Sequence, residues 1–350
     1  MKSRLFFHFS FFFILLTQLQ ALTELQDRNL LTSNQTTYRV TITTSFQFPA
    51  RSAYSQVEVA HPLPVKRSWS ETSRNIARQP TGSQIRKIAG HNQVEISQVV
   101  WQKPIPSSGG NFSFTTTYET TSVTRSLPPE MAQRARWNSQ QVNANKTKDM
   151  NPEIVDMAKT LIKEPSPIEA LSKFCKWLMT RVVYNANYET GSVDEILERG
   201  SGHCGQRARV LLQFAQAVGL EMRPSPGLFL TEPDGSFNNY LYRIKPIYGN
   251  IHAWVEVNIP GLGWIELEPS HPNIFRIPHT FINTRSQPGS SVRLNKRGIW
   301  VKPTWQATPA NTETGSEKVT TTYTSDVGLQ TLITFEILSQ DTKSGPVTNL

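Results

Sequence analysis

Cysteine is scarce: Cys175 and Cys204 are the only two in 350 residues, which excludes a disulfide-stapled scaffold. Lys and Arg outnumber Asp and Glu by 36 to 27, a formal net charge of +9, yet no run of five or more basic residues occurs. Scattered positive charge of this kind gives little support to nucleic-acid binding. It suits an anionic partner such as an acidic wall polymer, a membrane surface or an acidic protein, and the plainer reading is a basic secreted protein. After the N-terminal segment no stretch approaches the roughly 20 apolar residues that a membrane span requires. No Cys and His cluster has metal-ligand spacing, so metal binding is not indicated; no acidic loop with calcium-ligand spacing stands out, and the sequence does not decide calcium dependence.

The apolar content, 37% with 10% aromatic, is enough for two or three compact units with a sizeable core. Residues 1–21 carry Lys2 and Arg4, then an apolar run over 5–16 broken only by His8 and Ser10. That is the layout of a secretory signal peptide, and it places the rest in a secreted, periplasmic or cell-envelope setting. An uncleaved anchor is the alternative, because Leu19 is larger than a cleavage site prefers at that place. The sequons at Asn34, Asn111 and Asn145 matter only in a host that glycosylates exported proteins.

A polar leader, 22–37, precedes a region rich in β-branched and aromatic residues, 38–127. Alternation is clear at 38–48 and 112–118 and recurs at 57–59 and 94–100, which predicts a β-sandwich-like domain. A polar linker, 128–151, leads to two helices. In the first, beginning at Pro152, Ile154, Val155, Ala158, Leu161 and Ile162 share a face; in the second, Ser166 is the expected N-cap and Leu171, Phe174, Cys175 and Leu178 form the apolar stripe. Cys175 is therefore expected in the core. A short helix is predicted over 192–198. A longer one follows Cys204, with Val210, Leu211, Phe214, Ala215 and Val218 at helical spacing and Gly219 as the stop. Segments 228–230, 240–244, 252–257 and 264–267 read as strands. The fold class is thus α+β, with helices first and antiparallel sheet after, over 152–285. In the C-terminal extension, 286–350, a polar linker at 308–316 precedes two strands, 319–323 and 329–338, of a hairpin or of a sheet that this tail completes.

The chemistry concentrates at Cys204. A cysteine at a helix N-terminus has its thiol pKa lowered from about 8.5, because aligned peptide dipoles favour the thiolate. Gly202 and Gly205 beside it let a substrate approach and leave backbone N–H groups for a developing oxyanion. Downstream, His252 opens an alternating strand and supplies a base. A hairpin through residues 260–263 brings the strand with Glu266 and Glu268 next to it, so a carboxylate there could orient the imidazole. Each residue also has a plainer reading. A cysteine is most often a small buried hydrophobe, a Cys175–Cys204 disulfide would silence the thiol, His203 reads as a surface or entrance residue, and Trp254 either walls a substrate channel or packs in the core.

The strings GSGHCGQRARVLL (200–212), GLEMRPSPG (219–227), HAWVEV (252–257) and GWIELEP (263–269), in this order, resemble the transglutaminase-like superfamily of papain-type thiol enzymes. The resemblance spans roughly 152–270. It implies a papain-like core, with Cys204 as nucleophile, His252 as base and Glu268, directly before Pro269, as the acid that orients it. The family usually has Asp at that last position, so Glu268 is a departure, and Glu266 or another acid remains open for the role. Arg223 and Gly227 match positions of core structure. The implied activity is acyl transfer through a cysteine thioester on a peptide or glutamine carboxamide, without cofactor. Hydrolysis is slightly favoured over transfer to an amine, which would make the protein a cross-linking transamidase. A non-catalytic exported binding or structural module built on the same scaffold is the third reading.

Overall fold

The computed structural model describes residues 30–51, 54–65, 82–89, 95–138, 147–185, 191–230, 252–284, 292–294, 297–298, 303–311, 316–323, 328–341 and 345–346. The expected signal segment, the strand at 240–244 and the Asn145 sequon lie outside the described residues.

In chain order the elements are β1 (Leu31–Phe48), β2 (Gln56–Pro62), β3 (Ser83–Ala89), β4 (Glu95–Pro104), β5 (Gly110–Ser126), α1 (Pro129–Ala132), α2 (Pro152–Leu161), α3 (Pro167–Arg181), β6 (Val183–Tyr184), α4 (Val193–Arg199), β7 (Ser201–Gly202) and α5 (Cys204–Ala217). There follow β8 (Glu221–Phe229), β9 (His252–Ile259), β10 (Gly263–Leu267), β11 (Arg276–Ile277), β12 (Phe281–Asn283), β13 (Val292–Leu294), β14 (Arg297–Gly298), β15 (Pro303–Asn311), β16 (Ser316–Tyr323), β17 (Gly328–Asp341) and β18 (Gly345–Pro346).

The large sheet runs β11-β5-β1-β17-β16-β15, with β18 also on β1; a second runs β14-β13-β2-β4-β3; a third, β10-β9-β8-β12, belongs to the helical core. The β-rich segment does not close on itself as a preceding sandwich would. β1 lies between β5 and β17, and β2 pairs with β13, so chain from both sides of the helical core builds these sheets. The expected polar leader also overlaps β1: Thr36 and Thr37 pair with Ser122 and Thr121 of β5. Polar residues there are read as a loop by composition, but threonine suits a pleated, half-buried surface. For the same reason the described ends of the expected linker at 308–316 are strand, with Thr308 opposite Lys318 and Asn311 opposite Ser316.

On β1 the alternation does what period two demands. Tyr38, Val40, Ile42 and Phe46 are buried, while Thr41 and Thr43 face out and exchange hydroxyl bonds with Thr117 and Thr115, each 3.0 Å. The inward side chains join Val57, Val59, Val99 and Trp101 of the second sheet, Ile333 and Phe335 of β17, and Leu228 and Ile282 of the core in a single hydrophobic cluster.

In the helical core Asn151 and Ser166 cap α2 and α3 by accepting from the Glu153 and Glu169 amides. Phe174 of α3 stacks on Phe214 of α5, centroids 4.0 Å apart; such a pair is worth about 1 kcal/mol beyond the area it buries. α5 ends as its glycine requires. Gly219 takes φ +75° and the Leu220 amide reaches back to the Ala215 carbonyl at 2.9 Å, which satisfies a carbonyl the helix end would leave open. The stop fixes where α5 ends against β8 and β9, and so where its first residue, Cys204, begins. Among the described residues no helix is long and apolar enough to cross a membrane.

Candidate active site

Cys204 is the first residue of α5 and partly exposed. His203 is the N-cap: its Nδ1 accepts from the Gly205 amide at 3.1 Å, and Gln206 returns the contact by accepting from the His203 amide at 3.0 Å. This corrects one expectation: the Gly205 N–H is engaged by the cap rather than left for an oxyanion. His203 is half-exposed beside the thiol. Gly205 fits closely beneath that ring, since a Cβ there would sit 3.2 Å from His203 Cε1.

His252, the first residue of β9, is brought to the sulfur by the pairing of β9 with β8, where it stands opposite Gly227. A Cβ at Gly227 would run into the Ile282 carbonyl and the Trp254 ring, so only glycine lets β8, β9 and β12 close up behind the imidazole. The imidazole is boxed by Phe229, Trp254 and Phe281, ring centroids 5.9, 6.1 and 5.0 Å away. Trp254 itself is fully buried. Of its two expected roles it therefore takes core packing, not the wall of a channel.

The β9–β10 hairpin turns where the sequence predicts, with Gly263 opposite Ile259 and Glu266 opposite Glu256. Just past β10, Glu268 Oε2 lies 2.6 Å from His252 Nε2, and its Oε1 accepts from the Ser270 amide at 2.8 Å. The longer side chain is thus accommodated by a turn that binds its second oxygen. Glu266 points to different partners: Arg125 Nε at 2.5 Å and Trp254 Nε1 at 3.0 Å. It is held away from the histidine. Cys204, His252 and Glu268 are therefore one hydrogen-bonded row, sulfur to imidazole to carboxylate.

The charges reinforce each other along that row. Burial alone would push the Cys204 thiol up, but the His252 imidazolium, together with bonds from His203 and His252, brings it down to about 5. Burial would likewise push His252 down, and the Glu268 carboxylate and the Cys204 thiolate raise it to about 10. Between these values the resting pair is thiolate and imidazolium, the state that nucleophilic cysteine chemistry needs. Cys175 is the opposite case: buried in the core of α3 and free, its thiol is pushed well up by desolvation. No disulfide joins it to Cys204. Among the described residues no group of three His, Cys, Asp or Glu side chains is disposed to hold a metal.

Two further groups stand at the site, of which Tyr184 carried no usable sequence signal. Tyr184 reaches the sulfur through the parallel β6–β7 pairing, in which it stands opposite Gly202. Arg223 and Glu256, 2.5 Å apart and buried, join Ser225, Asn283, Glu266 and Arg125 in a polar network beneath the strands. Arg223 also lies over the Trp264 ring, 3.8 Å from its centroid.

The comparisons with known proteins bear on the same segment. The profile of the transglutaminase-like superfamily matches residues 156–269. No curated protein matches the chain. Among solved structures, a candidate cysteine protease from Cytophaga hutchinsonii is similar in fold, with TM-score 0.53 at 10% identity over 90% of this chain and 94% of that one. A candidate protease from Parabacteroides distasonis aligns over 85% of this chain and 69% of that one at 11% identity, with a TM-score of 0.27. The stretch that holds the thiol, the imidazole and the carboxylate is thus the stretch that the profile covers, and over these residues the chain is similar to the transglutaminase-like superfamily.

Proposed function

We propose that the protein is an exported cysteine hydrolase of peptide or carboxamide bonds, with Cys204 as nucleophile, His252 as acid and base and Glu268 as the group that orients His252. The observation that carries this reading is the row Cys204, His252 and Glu268, in which the imidazole lies between the sulfur and a buried carboxylate 2.6 Å from its Nε2. The thiolate adds to the carbonyl carbon, His252 gives its proton to the departing amine, and a thioester on Cys204 is left. Water then attacks the thioester with His252 as base. Hydrolysis is favoured over transfer to an amine because Cys204 is partly exposed, whereas an amine acceptor outcompetes water only where water is excluded. The description of the C. hutchinsonii structure as a candidate cysteine protease agrees with this choice. A protein or peptide is the substrate class, and the net charge of +9 suits an anionic cell-envelope surface as the place of action.

The test is to map iodoacetamide labelling of the protein without reductant near neutral pH, wild type against His252→Ala. Cys204 is expected to label fast and to slow in the variant, with Cys175 unlabelled in both. A Cys204 no faster than a free thiol, or unaffected by His252→Ala, would overturn the enzyme reading. Incubation with casein and a fluorescent primary amine then separates the acceptors: new peptide ends mean hydrolysis, and fluorescent casein means transamidation.

A further inference from the structure

Residues 276–283 step from one sheet to another. Arg276 and Ile277 pair with Ser126 and Arg125 of β5 in the large sheet, whereas Phe281 and Asn283 pair with Phe229 and Gly227 of β8 in the core. At the turn between them the Phe281 amide donates to the Pro278 carbonyl at 3.0 Å, and the Leu230 amide donates to the Thr280 carbonyl at 2.8 Å. The segment lies past the hairpin that carries Glu268, yet it supplies Ile277 and Phe281 to a small hydrophobic cluster that Phe229 and Trp254 complete. Three members of that cluster are the rings that box His252.

The large sheet holds this turn. His279, buried within it, donates its amide to Thr124 Oγ1 of β5 at 3.1 Å. Its Nδ1 shares a buried hydrogen bond with the phenol of Tyr38 on β1, 2.5 Å away and 241 residues earlier in the chain. The two rings lie nearly parallel, centroids 6.0 Å apart. Apolar side chains of the same shape would give about as much net stability as such a pair; what the hydrogen bond adds is one fixed geometry. We propose that Tyr38 is a positioning residue for the reaction: through His279 it sets the turn that lays the Phe281 ring against His252, so that the β-rich part of the chain completes an active site whose reacting groups all lie elsewhere. This rests on the thiol-enzyme reading given above.

The physical link is the exclusion of water. The charged groups that face His252 are Glu268 and Cys204, and Phe229, Trp254 and Phe281 line its other sides. Attraction between opposite charges is strong only where the surroundings are dry. With the Phe281 ring displaced from its place 5.0 Å from the imidazole, water screens the Glu268 carboxylate. The imidazolium is then held less firmly, and the thiolate beside it is favoured less. No bond-making step changes; the pH at which the pair forms does.

The rate of Cys204 alkylation by iodoacetamide, followed against pH, tests the assignment. Tyr38→Phe keeps the ring and removes the hydroxyl. Its midpoint is expected to rise by about one pH unit above that of wild type, and the burst of nitrophenolate from p-nitrophenyl acetate at pH 5 to slow about fivefold. Phe281→Leu is expected to raise the midpoint by about two units. Adding Tyr38→Phe to it should raise the midpoint no further, because the phenol acts through that ring. An unmoved midpoint in Tyr38→Phe, with or without a lower Tm, would make the contact purely structural and overturn the proposal. A double variant shifted beyond Phe281→Leu would overturn it too, since Tyr38 would then reach His252 by another route. A wild type whose midpoint already lies at about 8.5, the value of an ordinary thiol, removes the thiol-enzyme reading itself, and this proposal with it.

Discussion

Glu266 and Glu268 stand two residues apart and serve different partners: Glu268 binds His252 Nε2 at 2.6 Å, and Glu266 binds Arg125 at 2.5 Å. Both carboxylates are buried. One is coupled to the thiol through the imidazole. The other ties β10 to β5, a strand 141 residues earlier in the chain.

Replacing the first is expected to affect chemistry more than stability. Glu268→Gln keeps the shape and a hydrogen bond to His252 but removes the charge that raises its pKa. Acylation should fall by about 10²–10³-fold, with Tm close to wild type. Glu268→Asp pulls the carboxylate back by one methylene from a histidine now 2.6 Å away, and an intermediate rate is expected. Burst kinetics on the two variants check the order.

Replacing the second should do the reverse. Arg125 and Glu266 have side chains exposed by 2% and 5%, so Arg125→Met leaves a carboxylate in a low-dielectric site without its cation. A loss of about 3–5 kcal/mol is expected in urea unfolding. The double variant Arg125→Met with Glu266→Leu should regain much of that loss, because the cost lies in the uncompensated charge. If the double variant is no more stable than the single one, the pair is not the source of the loss.

These two carboxylates also mark how far the sequence could be read. α5, its Gly219 stop and the β9–β10 hairpin were legible because period, cap and turn are local signals, and the same holds for the two strands of the tail. Cys204 and His252 were legible because they fall at the start of a helix and the start of a strand, whereas the hairpin offered Glu266 and Glu268 alike and only the family resemblance favoured Glu268. Tyr184 was not, since only the two-residue parallel pairing of β6 with β7 brings it in. Nor was the engagement of the Gly205 amide, which depends on which way the His203 ring turns. Composition misled at 31–37 and 308–311, where threonine and asparagine suggest loop, while long-range pairing with β5 in the first case and hairpin pairing with β16 in the second make strand.

The His203 cap carries its own expectation. His203→Ala removes the acceptor of the Gly205 amide, which should cost about 1 kcal/mol of stability, and it removes one of the bonds that lower the Cys204 pKa. Differential scanning calorimetry should show the first effect. The second should appear as an upward move in the midpoint of the alkylation rate against pH, smaller than the move His252→Ala produces.

Wild-type pH dependence follows from the same groups with the sign fixed by each. Cys204 is lowered to about 5, so the thiolate is present above that pH and is lost as pH falls through it. His252 is raised to about 10, so the proton for a leaving amine is present below that pH and is lost as pH rises through it. Turnover of an amide should follow a bell with limbs near 5 and 10, while alkylation, which needs no proton donor, should show only the acid limb. In His252→Ala that limb should move up toward about 8.5, the value of an ordinary thiol. A wild-type alkylation profile that rises only near 8.5 would mean that the imidazole does not hold the sulfur as thiolate, and the row from Cys204 to Glu268 would lose its chemical meaning.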